Sequence, residues 1–164
     1  MRTVVIPLDG VLQDHKAQPQ HEMILMAAVL AENYRIVVIG NDSVEGINRW
    51  LKMNGISASD DIMGDDGVAS SRPLRLRQID SIRASGGISM VFEADATLAA
   101  QMVREGLKVL LYAHPRYIRP EHRPDAAGPT PWADLVHELD VQQGLADADD
   151  RLKDKDFEVQ WDEG

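Results

Sequence analysis

Four short apolar runs, TVVIPL at 3–8, RIVVIG at 35–40, ISMVFEA at 88–94 and KVLLYA at 108–113, are separated by longer segments with helical spacing. A β-branched run without polar alternation is a strand buried on both faces, and strands separated by helices join in parallel through crossovers. Between them, QHEMILMAAVLAENY at 20–34 has apolar residues at 24, 25, 28, 29 and 31, a stripe expected to face the sheet. NDSVEGINRWLKMNG at 41–55 opens on an N-cap candidate, Asp42 or Ser43, and stops at Gly55. SSRPLRLRQIDSIRASGG at 70–87 is a basic helix bounded by Pro73 and the Gly86-Gly87 pair, TLAAQMVREG at 97–106 is a fourth helix, and Ile62 and Met63 supply a third short strand. The expected class is α/β: a three-layer, Rossmann-like, five-stranded parallel sheet with helices on both faces.

With 164 residues, 44% of them hydrophobic, such a chain buries one substantial core. One domain is expected over residues 1–142, including an arm and closing helix after strand five, with an acidic tail over 143–164. Cysteine is absent, which removes disulfide frameworks, thiolate zinc sites and cysteine nucleophiles and suits a reducing compartment. The N-terminus does not read as a signal peptide, and the longest apolar stretch, MILMAAVLA at 23–31, is too short for a bilayer span. The expected location is cytoplasmic, with no membrane partner.

The formal net charge is −10, and the last twenty residues hold eight acids against three bases, or −5. General nucleic-acid binding is disfavoured, because phosphate backbones are met by clustered Lys and Arg. The tail reads as a solvated end, or as an acidic docking segment anchored by Phe157 and Trp161.

In parallel sheets the loops at the carboxyl ends of the strands form the functional crevice. Strand one delivers Asp9 there, strand two Asn41 and Asp42, and strand four Glu93 and Asp95. Acids distant in sequence are thereby expected to converge on one edge.

These residues carry a resemblance. VVIPLDGVLQD at 4–14 resembles the first motif of the haloacid dehalogenase (HAD) superfamily, a hydrophobic strand followed by Asp-x-Asp-Gly-Thr or Asp-x-Asp-Gly-Val. VFEADATLAAQMVREGLKVLLY at 91–112 resembles its fourth motif, an acidic pair closing a strand, and RIVVIGNDS at 35–43 takes the place of the second. The spacing is similar to that of small members with minimal or no cap, such as the short HAD-like proteins of actinobacterial phages and their hosts. In that superfamily the first aspartate forms an aspartyl-phosphate and the second acts as acid and base. Magnesium is held by the first aspartate, the carbonyl of the second and an acid of the fourth motif. A hydroxyl of the second motif and a lysine of the third position the phosphoryl group.

Carried over position by position, the resemblance implies a damaged centre. Pro7 stands where the nucleophile belongs, Asp9 matches the acid/base, and Gly10 matches the tight turn. Gly40 falls where Ser or Thr is expected, with Asn41 or Ser43 as substitutes if the loop shifts. No lysine lies between Lys52 and Lys108, so the third-motif role falls to Arg72, Arg75 or Arg77. Glu93 and Asp95 match the acids of the fourth motif and could hold magnesium with the Asp9 carbonyl. With one anionic ligand lost no cofactor is expected, magnesium being the alternative. Asp9 itself reads either as a cap of the following turn or as an acid/base.

After strand five, HPRYIRPEHRPDAAGPTPWADLVHEL at 114–139 carries Arg116, Arg119 and Arg123 among prolines. It reads as a rigid arm with a closing helix that packs Trp132, Leu135 and Leu139 on the sheet, or as a basic loop that takes a phosphate or an acidic peptide. His15, His21, His114, His122 and His137 show no metal-ligand spacing. QIDSI, Gln78 to Ile82, faintly resembles the peptide that docks on bacterial replication sliding clamps. Two functions remain. One is a catalytically degenerate HAD-like protein, regulatory or phage-encoded, that binds another macromolecule. The other is a magnesium-dependent phosphatase or nucleotidase with Asp9 as base and Glu93 and Asp95 as ligands.

Overall fold

The structure, a computed structural model, describes residues 2–14 and 16–112 and, beyond them, His137 and Val141. In chain order the elements are β1 (Thr3–Pro7), α1 (His21–Ala31), β2 (Arg35–Ile39), α2 (Val44–Met53), β3 (Asp61–Met63), α3 (Leu74–Ser85), β4 (Ile88–Glu93), α4 (Ala96–Arg104) and β5 (Val109–Leu111). All four strand pairings are parallel, in the order β3-β2-β1-β4-β5. The expected α/β class is therefore observed, and the strand order reverses between β1 and β4.

Alternation along the strands builds both layers of the core. Val4 and Ile6, Ile36 and Val38, and Phe92 point to one face, where they meet Met23 and Ala27 of α1 and Ile47 and Leu51 of α2. Val5, Val37, Ile39 and Val91 point to the other, against Leu76, Ile79 and Ile82 of α3 and Met102 of α4. Helices thus cover both faces, and strands buried on both sides need no polar alternation.

Central β1 ends in Pro7, paired opposite Ile39. The N–H of the next residue, Leu8, reaches Ile39 O at 2.7 Å. Because successive N–H groups point to opposite neighbours, the donor that proline lacks falls on the β4 side, beyond the last β1–β4 pair at Val5 and Val91. Val4, Val5 and Ile6 are fully buried at roughly 1.5–3 kcal/mol each, which outweighs one net hydrogen bond of about 0.5–1.5 kcal/mol.

Helix termini follow local chemistry. Ser43, not Asp42, caps α2, accepting from Gly46 N at 3.1 Å, and Asp95 caps α4 through Thr97 N and Leu98 N. Helix α3 runs from Pro73 to Gly86 as its punctuation requires.

Helix α1 departs from the expected orientation. Met23 and Ala27 are its buried residues, while Leu25, Ala28 and Val29 of the expected stripe are exposed. The helix is apolar almost all round, so periodicity does not select a face, and the position of the sheet does. Among the described residues, no helix is long and apolar enough to cross a membrane.

Candidate functional site

The reversal of strand order opens a crevice beyond the carboxyl ends of β1 and β4. A cleft of about 260 Å³ lies there, between Asp9 and Asn41 on one side and Pro73, Arg75, Asp95 and Leu98 on the other.

Its first wall is the turn after β1. Leu12 N donates to Leu8 O at 3.1 Å and Gln13 N to Leu8 O at 2.9 Å, closing one tight turn. Gly10 sits inside it at φ 84°, a conformation costly for any side chain with a Cβ. Its carbonyl accepts from the buried Gln20 Nε2 at 3.1 Å.

The turn presents Asp9, and both its oxygens are engaged. Oδ1 accepts from Gln13 Nε2 at 2.9 Å and Oδ2 from Asn41 N at 2.9 Å. Asp9 thus ties the end of β1 to the end of β2.

Arg75, in the first turn of α3, enters from the opposite layer. Its Nη1 donates to Glu93 Oε1 at 2.9 Å, and its Nη2 lies 3.5 Å from Asp9 O and 3.9 Å from Asp9 Oδ2. The Arg75 side chain is 8% exposed and that of Glu93 0%. Glu93 Oε1 also accepts from Ala94 N and Asp95 N. Glu93 Oε2 and Arg75 Nε are buried without a protein partner. Burial pushes the Glu93 carboxyl above its usual range, against the pull of the Arg75 guanidinium and the N–H groups of Asp95 and Ala94.

Of the three arginines left open by the sequence, only Arg75 lines the cleft. Arg72 is taken by Asp80 and Glu105, and Arg77 by Asp66. Of the residues expected at the end of β2, Asn41 and Ser43 as hydroxyl substitutes and Asp42 as a crevice acid, Asn41 alone is among the residues lining the cleft. Asp42 accepts from the Ser43 N–H, and the Ser43 hydroxyl is spent on its helix. A Cβ at Gly40 would lie 3.0 Å from Ile47 Cδ1, 3.3 Å from Leu8 Cβ and 3.4 Å from Asp9 Oδ2, so this corner is packed tightly around glycine.

The residues that the resemblance assigns to magnesium already have partners within the protein. The Asp9 carbonyl and Glu93 Oε1 face Arg75, and the Asp95 carboxylate caps α4. Among the described residues, no group of three or more His, Asp or Glu side chains is arranged to hold a metal.

Gln78, one turn beyond Arg75, has a structural role that the sequence reading does not assign to it. Its Nε2 donates to Gly40 O, Met63 O and Gly64 O at 2.8–3.2 Å, pinning the ends of β2 and β3. The signal was available, since Arg75 and Gln78 interrupt the stripe that continues through Ile79 and Ile82. The same burial turns Gln78, Ile79 and Ile82, the stretch with the faint sliding-clamp resemblance, into the core of the domain.

Arg116, Arg119 and Arg123, with His15, His114, His122, the acidic tail and the expected closing helix apart from His137, lie outside the described residues. His21 and His137 are exposed. No protein-family model, no curated protein and no solved structure matches the chain.

Proposed function

We propose that the chain is a catalytically degenerate HAD-like domain that acts by binding another protein. Two features speak against phosphoester turnover. Pro7, buried at the end of β1, offers no nucleophile. The cleft also brings Asp9, Glu93 and Asp95 together with one base, Arg75, an excess of acid that repels a phosphate.

The observation that carries the binding function is the outer face of α1. Leu25, Met26 and Val29 are exposed by 68%, 47% and 62%, and their spacing places them on one side of the helix. Glu22 and Glu32 flank this patch, and the chain as a whole carries −10. An apolar strip with acidic ends suits a protein partner whose apolar patch is rimmed by Lys and Arg. A cytoplasmic location suits a chain without cysteine.

The test is affinity capture from cells that naturally carry the chain, using wild type and a Leu25→Asp/Val29→Asp variant of equal thermal stability. A partner with a basic-rimmed patch should be retained by wild type, lost by the variant and weakened at about 0.5 M salt, where surface charges are screened. Self-association abolished by the same variant would assign the face to a second copy. Magnesium-dependent turnover of a small phosphoester that disappears in Asp9→Asn would establish the enzyme instead.

A further inference from the structure

We infer that Arg75 is the resident cation of the crevice, standing where a divalent ion would otherwise be held, so that the site is closed to metal as long as this side chain is present. The guanidinium approaches two oxygens that the motif resemblance offers to an ion, Glu93 Oε1 and the Asp9 carbonyl, and the Asp9 carboxylate beside them. Nη1 is 2.9 Å from Glu93 Oε1, and Nη2 is 3.5 Å from Asp9 O and 3.9 Å from Asp9 Oδ2.

Electrostatics favour the tethered cation over a free one. Arginine is always charged, and its planar fork can face a carboxylate and a carbonyl together. Magnesium requires near-octahedral oxygen contacts at about 2.0–2.1 Å and sheds water reluctantly. To enter, it would have to expel a side chain held at an effective concentration that only attachment to the same chain provides, and leave that guanidinium buried without a partner. Glu93 adds a further barrier, because its bonded oxygen already receives two backbone N–H groups besides Arg75. Arg75 therefore supplies positive charge to the crevice permanently, with no dependence on metal supply. This inference is independent of what docks on α1.

Removing Arg75 should create the metal site. The probe is Mn²⁺, followed by the electron paramagnetic resonance signal of the free ion and by thermal unfolding at matched ionic strength. Wild type should leave the free-ion signal unchanged. Arg75→Ala and Arg75→Gln should bind Mn²⁺ at least about tenfold more tightly than wild type and gain thermal stability from it. Adding Glu93→Gln should abolish both effects. Stoichiometric Mn²⁺ binding by wild type, or folded Arg75 variants that bind no better than wild type, would overturn the inference. If neither variant folds alone, recovery of the folded state by Mn²⁺ supports it, and failure to recover counts against it.

Discussion

Arg75 and Glu93 form an ion pair at 2.9 Å across the carboxyl edge of the sheet, with side chains 8% and 0% exposed. The pair joins the first turn of α3 to the last residue of β4 and forms the floor of the crevice. Removing one partner of a buried pair strands the other charge, at about 3–5 kcal/mol, whereas replacing both by apolar groups is often far cheaper. Arg75→Met should fall in that range, and Arg75→Met/Glu93→Leu should recover much of the loss. Urea unfolding across the double-mutant cycle measures the coupling.

Glu93 also sets a pH dependence. Its carboxyl titrates above the usual 4.5 because burial penalises the charged form. A carboxyl with a raised folded-state pKa contributes stability that is fully present below the unfolded value and is lost as pH rises through the folded one. Glu93→Gln cannot titrate. The stability of wild type relative to Glu93→Gln should therefore fall as pH rises above 4.5, as read from urea midpoints at successive pH values.

Gln78 holds three carbonyls with one amide. Gln78→Leu preserves volume and removes those bonds, leaving Gly40 O without its buried side-chain donor. The cost should be about 1–3 kcal/mol. Amide hydrogen exchange should quicken selectively around residues 40–42 and 63–65, and uniform quickening across the sheet would argue against a local clamp.

Gly64 packs against the start of α2. A Cβ there would meet Asp42 O and Val44 N at 2.5 Å, both backbone atoms that cannot swing aside. Gly64→Ala should cost about 1–3 kcal/mol through overpacking. Gly86→Ala is the control, because a Cβ there meets nothing within 4 Å and its φ of 169° suits any residue. That control should be neutral or stabilising by up to about 1 kcal/mol.

Much of the fold was legible because local and global signals agree. Each strand and helix expected up to strand five is present, and Pro73, Gly86 and the Ser43 cap stand where helices α2 and α3 start or stop. Convergence of Asp9, Asn41, Glu93 and Asp95 on the crevice followed from parallel topology alone. The exposed face of α1 was not legible, since an almost wholly apolar helix carries no directional pattern. Nor was the choice of Arg75 over Arg77, which turns on about 100° of helix rotation per residue, or over Arg72, which lies before the helix.

The alternation of apolar runs and helical segments determined by itself that this chain forms a parallel sheet between helices, and Pro7 determined that no nucleophile ends its central strand. Only the tertiary structure decided that the acids of that edge are largely occupied, Glu93 Oε2 being the exception. A carboxylate in sequence offers its lone pairs to any donor. Once Arg75 is brought up from the opposite layer, and the backbone N–H groups of Asn41, Ala94, Asp95 and Thr97 point inward, most of those lone pairs are spent within the protein.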